Sequence, residues 1–159
     1  MTVYALVDCN NFFVSCERVF NPRLEDCPVI ILSSNDGCAI ARSNEAKEFG
    51  VKMAQPLYQF IDTVKKHDIQ VLSGNFHLYT DMSNRVMQVL ADMAPATQQY
   101  SIDECFLDIT GMTDDLDEYG QFVRAKVKQW TGIPVGIGIA ETKTLAKVAN
   151  RIAKTSKKT

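Results

Sequence analysis

The chain has 159 residues, about the length of one ordinary domain, and 46% of them are hydrophobic while 23% are charged. This composition excludes an intrinsically disordered protein, and the longest apolar runs are too short for a membrane-spanning helix. The net charge of -2 does not indicate a nucleic-acid binder, and a start without a basic segment favours a cytoplasmic protein over a secreted one.

The first half of the chain alternates short strand and helix patterns. Residues 3–7 are apolar and rich in β-forming residues, which predicts a buried strand that ends at Asp8. The turn signal Asn35-Asp36-Gly37 predicts a hairpin between two further strands. The elements expected up to residue 73 are a strand at 3–7, a helix capped by Asn10 and Asn11, strands at 28–32 and 38–41, helices at 43–50 and 56–67, and a strand at 70–73.

The second half of the chain carries longer periodic segments. Its expected elements are a helix at 79–93, strands at 99–102 and 105–109 with Asp103 and Glu104 between them, a helix at 116–130, a strand at 134–140 and a helix capped by Thr142. This order is typical of a split βαββαβ sheet with helices on one face. We therefore expect an α/β (α+β) protein with a ferredoxin-like sheet, in which the segment 10–74 is a small mixed insertion.

Three carboxylates stand at strand ends that this fold brings together. Asp8 follows the first strand, and Asp103 and Glu104 lie between the two central strands, which neighbour the first one. Crowded carboxylates repel each other unless a cation compensates, and Mg²⁺ prefers such oxygen ligands. The pattern therefore indicates a two-metal site for phosphoryl transfer. Spacing alone also allows a plain alternative, in which Asp8 caps a helix and the acidic pair forms a solvated turn.

Charge is unevenly distributed along the chain. Seven acidic and no basic residues lie at 103–118, whereas six basic and no acidic residues lie at 143–159. Lys143, Lys147 and Lys154 recur at intervals that place them roughly on one helix face, which suits either a triphosphate or a solvated basic surface. A further set of phosphate donors lies at 42–47, where an ordinary surface helix is the alternative.

Two aromatic residues follow the first carboxylate closely. Phe12 and Phe13 cannot share a helix face, so one is expected in the core. The other is expected to face whatever binds at the carboxylates, where its ring can pack on a sugar. The five cysteines have no C-x-x-C spacing and no nearby histidines, so reduced thiols are expected rather than a zinc site or a disulfide framework.

Six segments taken together resemble the Y-family translesion DNA polymerases, and most closely their UmuC-like branch. The most specific are Ser-Ile-Asp-Glu at 101–104 and Thr-Lys-Thr-Leu-Ala-Lys at 142–147. The six segments are 7–13, 35–38, 41–47, 79–83, 100–104 and 138–147. The resemblance implies error-prone DNA synthesis in the SOS response to DNA damage, by transfer of a dNTP to a primer 3′-hydroxyl.

The resemblance implies a role for each carboxylate. Asp8 and Asp103 would bind both of two Mg²⁺ ions, for which Mn²⁺ can substitute. Glu104 would bind the catalytic ion near the primer 3′-hydroxyl. The backbone carbonyl of Cys9 would help to hold the nucleotide-bound ion.

The resemblance also implies a set of nucleotide contacts. Phe12 and Phe13 are both implied nucleotide contacts, and Phe13 stands at the family's steric gate, an aromatic ring that excludes a ribose 2′-hydroxyl. This gate is often tyrosine in the family, so phenylalanine keeps the bulk without the hydroxyl. Lys154 matches the triphosphate-binding lysine. Two other contacts depart from the common pattern, with Asn44 where many members have tyrosine and Lys47 where many have arginine.

The implied domains are a discontinuous palm at 1–9 and 75–159 and fingers at 10–74, while the family's thumb and little-finger domains have no counterpart in the sequence. We therefore expect little or no processive synthesis from these residues. The implied partners are a dNTP, primer–template DNA held by the full-length enzyme, a UmuD′-like subunit and RecA, with no membrane. Two other functions stay open: a nucleotidyl cyclase, which uses a similar palm with two metals, and a non-catalytic module that binds nucleotide or partner proteins.

Overall fold

The structure, a computed structural model, describes residues 1–156 and divides into two compact units. The first contains Met1–Asn10 and the chain from Thr80 onward, and we call it the four-stranded unit after its sheet. The second, Asn11–Tyr79, is called the three-stranded unit. Lys157 and Lys158, which belong to the predicted basic stretch, lie outside the described residues.

Seven strands and six α-helices are present in residues 1–156. In chain order they are β1 (Tyr4–Cys9), α1 (Phe12–Phe20), β2 (Val29–Leu32), β3 (Ala39–Arg42), α2 (Asn44–Glu48), α3 (Leu57–His67), β4 (Gln70–Ser73), α4 (Phe76–Ala91), β5 (Ala96–Gln99), β6 (Glu104–Asp108), α5 (Leu116–Thr131), β7 (Val135–Ala140) and α6 (Lys143–Ser156). A short 3-10 turn at Pro22–Leu24 follows α1.

The four-stranded unit has the predicted βαββαβ order, formed by β1, α4, β5, β6, α5 and β7. Its sheet has the strand order β5-β6-β1-β7, and every neighbouring pair is antiparallel. β1 lies between β6 and β7, so Ala5, Leu6 and Val7 are buried, as their apolar side chains require. The prediction of an α/β protein with a ferredoxin-like sheet is confirmed.

The expectation of helices on one face of this sheet is wrong, because α5 and α6 approach opposite faces. Successive residues of a strand point to opposite faces. A Cβ atom on Gly138 of β7 would fall 2.2 Å from the backbone nitrogen of Asn150 in α6, so that face carries α6. The next residue, Ile139, approaches Gly120 of α5 instead. Sequence periodicity identifies the apolar side of each helix but not the sheet face that it covers.

The outer strand also differs from the prediction, since β5 is Ala96–Gln99 rather than 99–102. It forms the edge of the sheet and all four of its residues are exposed, so it lacks the apolar alternation by which a strand is recognised. The chain then turns, and the Tyr100 amide donates to the Glu104 carbonyl over 3.0 Å. Asp103 lies in this turn as expected, whereas Glu104 already begins β6.

The three-stranded unit is built on a separate sheet of order β3-β2-β4. β2 pairs antiparallel with β3 and parallel with β4. The predicted hairpin is present, and the Asn35 side-chain oxygen accepts hydrogen bonds from the Gly37 amide and the Ser33 hydroxyl. The buried core of this unit consists of Ile30, Leu32, Ala39, Ala46, Val51, Phe60 and Ile69.

The start of α1 differs from the predicted asparagine cap. Asn11 precedes the helix with a left-handed backbone (φ 43°), and its side chain makes no capping hydrogen bond. Asparagine adopts this backbone region more readily than most residues. The Asn11 side chain bonds to Asn44 and Lys47 instead.

No helix within residues 1–156 is long and apolar enough to cross a membrane. The same stretch contains all five cysteines, and none of them forms a disulfide. Burial raises the pKa of the Cys16 thiol to about 12, so this thiol is protonated at neutral pH.

Candidate functional site

The sheet register brings the three predicted carboxylates to one end of β1. Asp8 lies directly opposite Glu104 on β6. The Cys9 amide donates to the Asp103 carbonyl over 2.9 Å, which fixes the turn beside the end of β1. Residues directly opposite on antiparallel strands have Cβ atoms about 4.5–5.5 Å apart. Backbone pairing therefore places these carboxylates next to one another, although 95 residues separate Asp8 from Asp103 in the sequence.

A single hydroxyl is shared by the two later carboxylates. Ser101 Oγ lies 2.9 Å from Asp103 Oδ1 and 3.1 Å from Glu104 Oε2. A hydroxyl has one proton, so it satisfies one carboxylate at a time or both weakly. Burial raises the pKa of the Asp103 carboxyl above its usual range; the Ser101 hydrogen bond opposes this shift, and the negative charge of Asp8 adds to it. Asp103 is therefore a half-buried carboxylate with too little compensating positive charge.

The Asp8 carboxylate is held by two side chains of α6. Lys154 Nζ lies 2.6 Å from Asp8 Oδ2. Asn150 Nδ2 donates to the same oxygen over 3.2 Å. Residues four apart on a helix lie on one face, so a single helix supplies both groups. One end of the carboxylate thus faces α6, and its charge is balanced by an ammonium group.

Two glycines on β7 allow α6 to come this close. Asp8 lies opposite Gly136 on β7, and Leu6 lies opposite Gly138. A Cβ atom on Gly136 would fall 3.0 Å from Asn150 Oδ1 and 3.6 Å from the Lys154 side chain. At Gly138 a Cβ atom would collide with the backbone of α6. Asn150 was not among the residues predicted from the sequence, although its spacing of four from Lys154 was a usable signal.

The donor set suits a hard divalent cation. It consists of three carboxylates, which are oxygen ligands of the kind that Mg²⁺ prefers. Within residues 1–156 no three carboxylate, histidine or cysteine side chains already enclose a metal position. The Asp8 carboxylate forms an ion pair with Lys154, whose ammonium group supplies the positive charge beside it. The residue types suit a metal site, and in this arrangement Asp8 is paired with Lys154.

The other two lysines of the predicted basic row contact aromatic rings. Lys143 Nζ lies 5.5 Å from the ring centroid of Tyr4 and 5.7 Å from that of Phe106. Lys147 Nζ lies 3.7 Å above the ring of Tyr100, a typical cation–π distance. Lys154 is therefore the member of the row that reaches a carboxylate.

One of the two adjacent aromatic residues at the start of α1 is buried, as expected. Phe12 is buried, whereas Phe13 is half-buried at the start of α1. The Phe13 ring stacks on Tyr79 with centroids 4.4 Å apart, and it meets Phe76 edge-on at 6.2 Å. Tyr79 is fixed by a 2.8 Å hydrogen bond from its hydroxyl to Glu17. The Phe13 ring is thus held rigidly on one side by other aromatic rings.

The remaining predicted nucleotide contacts form a chain within the three-stranded unit. Lys47 Nζ donates to Asn11 Oδ1 over 2.9 Å, and Asn11 Nδ2 donates to Asn44 Oδ1 over 3.1 Å. Asn11, which was predicted only as a helix cap, connects the other two residues. Arg42, a predicted phosphate donor, instead donates to the Val51 carbonyl over 2.6 Å, so its guanidinium supports the local backbone.

A cavity of about 650 Å³ lies elsewhere, between α4 and α5 of the four-stranded unit. Its walls include Met93, Tyr119, Phe122 and Trp130. None of the predicted site residues lines it. The cavity is therefore separate from the carboxylates.

Comparison with known proteins gives consistent matches along the chain. Residues 7–151 match the family described as impB/mucB/samB. The chain is 50% identical over 149 residues to protein ImpB of Salmonella typhimurium, covering 92% of this chain and 35% of that protein. It is 47% identical over 154 residues to protein UmuC of the same species, covering 96% and 36%. DNA polymerase IV of Dehalococcoides mccartyi is 34% identical over 155 residues, covering 93% and 39%. The chain thus spans well under half the length of these relatives.

Solved structures show the same fold. The insertion ternary complex of Dbh DNA polymerase superposes with a TM-score of 0.86 at 25% identity, covering 94% of this chain and 46% of that one. DinB from Sulfolobus solfataricus superposes with a TM-score of 0.83 at 25% identity, covering 94% and 45%.

Proposed function

Because the chain belongs to the impB/mucB/samB family, we propose that it carries the metal-binding and nucleotide-binding centre of an error-prone translesion DNA polymerase. The observation that carries the proposal is the meeting of Asp8, Asp103 and Glu104 at one end of the sheet. The proposed reaction is attack of a primer 3′-oxygen on the α-phosphate of a dNTP, with release of pyrophosphate. The four-stranded unit would be the palm and the three-stranded unit the fingers.

The carboxylates are proposed to hold two Mg²⁺ ions, with Mn²⁺ as a substitute. Asp8 and Asp103 would bind both ions, Glu104 the catalytic one, and the Cys9 carbonyl the nucleotide-bound one. Two such ions stabilise the charge on the attacking and leaving oxygens of phosphoryl transfer. Crowding and partial burial leave Asp103 electrostatically unfavourable without a cation, as its raised pKa indicates.

The proposed nucleotide contacts follow from what each side chain can offer. Lys154 carries a compact ammonium charge on a flexible side chain. When metal binds at Asp8, this ammonium group would leave the carboxylate and bind the triphosphate. Phe13 presents a rigid ring that would exclude a ribose 2′-hydroxyl. Asn44 and Lys47, joined through Asn11, would supply polar contacts from the three-stranded unit. The proposed partners of the full-length protein are primer–template DNA, a UmuD′-like subunit and RecA.

Isothermal titration of a dNTP in the presence of Mg²⁺ tests the proposal directly. Metal-dependent binding to the 159-residue chain is expected, with little or no processive primer extension in a parallel assay. Equal dNTP affinity with and without Mg²⁺ would contradict a site built around metal ions. Release of a cyclic nucleotide from ATP or GTP would show a cyclase instead of a polymerase.

Replacing Lys154 by methionine is expected to change metal and nucleotide affinity in opposite directions. Loss of the ammonium removes a competitor for Asp8, so Mn²⁺ should bind about two- to fivefold more tightly without nucleotide, because partly exposed ion pairs contribute about 1 kcal/mol or less. Nucleotide should bind about 10- to 150-fold more weakly, since a hydrogen bond to a charged group contributes about 1.5–3 kcal/mol. Titration calorimetry measures both, and Lys128→Met in α5 is the control. If Lys154→Met binds Mn²⁺ with unchanged affinity, Lys154 does not compete with the metal for Asp8.

Replacing Phe13 by alanine is expected to weaken the discrimination against ribonucleotides. Without the ring nothing at this position opposes a 2′-hydroxyl, so the ratio of rNTP to dNTP affinity should rise towards one. Competition titrations of matched rNTP and dNTP pairs measure this ratio. Phe20→Ala, at the exposed end of the same helix, is the matched control and should leave the ratio unchanged. An unchanged ratio of rNTP to dNTP affinity in Phe13→Ala would show that Phe13 is not the steric gate.

A further inference from the structure

We propose that Asn150 is a positioning residue that fixes the orientation of the Asp8 carboxylate for metal binding. Its Nδ2 group donates to Asp8 Oδ2 across 142 residues of sequence. The inference rests on the proposed function, because a fixed carboxylate matters most if Asp8 is a metal ligand. It concerns a residue of α6 that would touch neither metal nor nucleotide.

Burial distinguishes Asn150 from the other partner of Asp8. Asn150 is 4% exposed, whereas the Lys154 side chain is 39% exposed. The lysine has a long flexible stem, and it can leave Asp8 by rotating into solvent. The asparagine has a short side chain enclosed between α6 and β7, so it stays in place when the ion pair opens. After that opening, Asn150 is the described group that still holds Oδ2.

The direction of the hydrogen bond decides what this does to the carboxylate. Both described partners of the Asp8 side chain bind Oδ2. An ionised carboxylate only accepts hydrogen bonds, so the amide must present its NH₂ group. With Oδ2 held by side chains of α6, Oδ1 is the oxygen left for a cation. Hydrogen bonds of this kind to metal ligands orient them and tune their affinity.

An amide side chain at position 150 lowers the stability of the folded protein. Asn150 Oδ1 is buried and has no hydrogen-bond partner within residues 1–156. A buried polar atom left unsatisfied costs about 1–3 kcal/mol. Alanine favours helices and carries no polar group to bury, but it would leave Asp8 Oδ2 without this donor. The unsatisfied oxygen is therefore explained by a requirement for the Nδ2 donor at Asp8.

The backbone of β7 is shaped to seat this side chain. Gly136, opposite Asp8, leaves room for Asn150 Oδ1 at a point where a Cβ atom would lie 3.0 Å away. Gly138 removes the Cβ that would strike the backbone of Asn150 itself. The two glycines thus set both the position of the α6 backbone and the space around the amide.

The test is the affinity for Mn²⁺ measured by electron paramagnetic resonance on the 159-residue chain, comparing the wild type with Asn150→Ala. Loss of a hydrogen-bonding group behind a metal ligand costs about 10- to 100-fold in metal affinity, and we expect a loss in this range. Thr131→Ala is the matched control, because Thr131 is also a buried polar residue in a helix of the same unit and bonds only to local backbone. It should leave Mn²⁺ affinity unchanged.

A second variant disturbs the same amide without removing it, and thermal unfolding checks for a general loss of structure. Gly136→Ala keeps the amide but pushes its oxygen aside, so Mn²⁺ affinity should also fall, by less than in Asn150→Ala. Thermal unfolding without metal checks that each variant folds, and the rise in Tm produced by Mn²⁺ gives an independent readout. If the wild type binds Mn²⁺ and Asn150→Ala binds it with the same affinity, only the positioning role of Asn150 is contradicted. Absence of Mn²⁺ binding in the wild type would contradict the metal centre and the positioning role together.

Discussion

The Asp103→Asn variant is expected to lose metal-dependent nucleotide binding and, in the absence of metal, to unfold at a higher temperature than the wild type. The amide keeps the shape of the side chain and can still accept from Ser101. It removes the charge of a proposed oxygen ligand, so Mn²⁺ affinity should fall at least about 100-fold, the upper end of the effect of losing a group behind a ligand. Calorimetric titration with Mn²⁺ and a dNTP measures the loss.

The stability gain follows from the sign of the pKa shift. The pKa of Asp103 is raised in the folded state, chiefly by burial and also by Asp8, so the folded protein holds this proton more tightly than the unfolded chain. The residue therefore favours folding below the ordinary aspartate range, and this contribution is lost as the pH rises through the folded pKa. At neutral pH the ionised group opposes folding, and the neutral amide does not.

Two measurements check this explanation of the stability gain. The Tm difference between Asp103→Asn and wild type should shrink as the pH is lowered, because the wild-type carboxyl then becomes protonated as well. Asp108→Asn is the matched control, since that exposed carboxylate has a lowered pKa and should not stabilise the protein when neutralised. A variant less stable than wild type at neutral pH would contradict the account of Asp103 as an uncompensated charge.

Gly138→Ala is expected to destabilise the four-stranded unit and disrupt the carboxylate site together. The new Cβ atom would lie 2.2 Å from Asn150 N and 2.3 Å from the Ala146 carbonyl oxygen. Both are backbone atoms that cannot rotate away, so α6 must shift. Overpacking of this kind costs about 1–3 kcal/mol of unfolding free energy. Since α6 carries both partners of Asp8, Mn²⁺ binding should weaken as well.

Chemical denaturation of Gly138→Ala and Gly120→Ala separates this clash from a general effect of glycine replacement. At Gly120 in α5 a Cβ atom would meet only the end of Ile139 at 3.8 Å, an ordinary contact. Alanine there should stabilise the protein by about 0.5–1 kcal/mol, because glycine is unfavourable inside a helix. Equal and small effects of the two substitutions would show that α6 is not packed directly on β7.

The carboxylates could be predicted from the sequence because strand ends and topology determine their position. Asp8 ends an apolar run, and Asp103 lies between two strand patterns, so a βαββαβ sheet brings them together regardless of side-chain detail. Their roles as metal ligands remain predictions. β5 was misplaced because an exposed edge strand has no apolar alternation to mark it.

The positions of Lys154 and Asn150 beside Asp8 depend on geometry that a linear pattern does not contain. Gly136 and Gly138 looked like an ordinary glycine-containing strand, yet their missing side chains decide which helix covers that face and how closely. Lys143 and Lys147 belong to the same row as Lys154, but their ammonium groups lie over aromatic rings rather than beside Asp8. Such distinctions come from contacts between distant segments, which periodicity does not report.

The long sequence separation of the Asp8 contacts has a consequence for the order of folding. The bonds from α6 to Asp8 join residues 142 and 146 positions apart, whereas the three-stranded unit is built entirely from Asn11–Tyr79. Closing a long loop costs more entropy than closing a short one, and non-local contacts form late. During synthesis the three-stranded unit can therefore fold while Asp8 still lacks its partners. Protection of the β1 amides in pulsed hydrogen exchange should accordingly appear after that of β2.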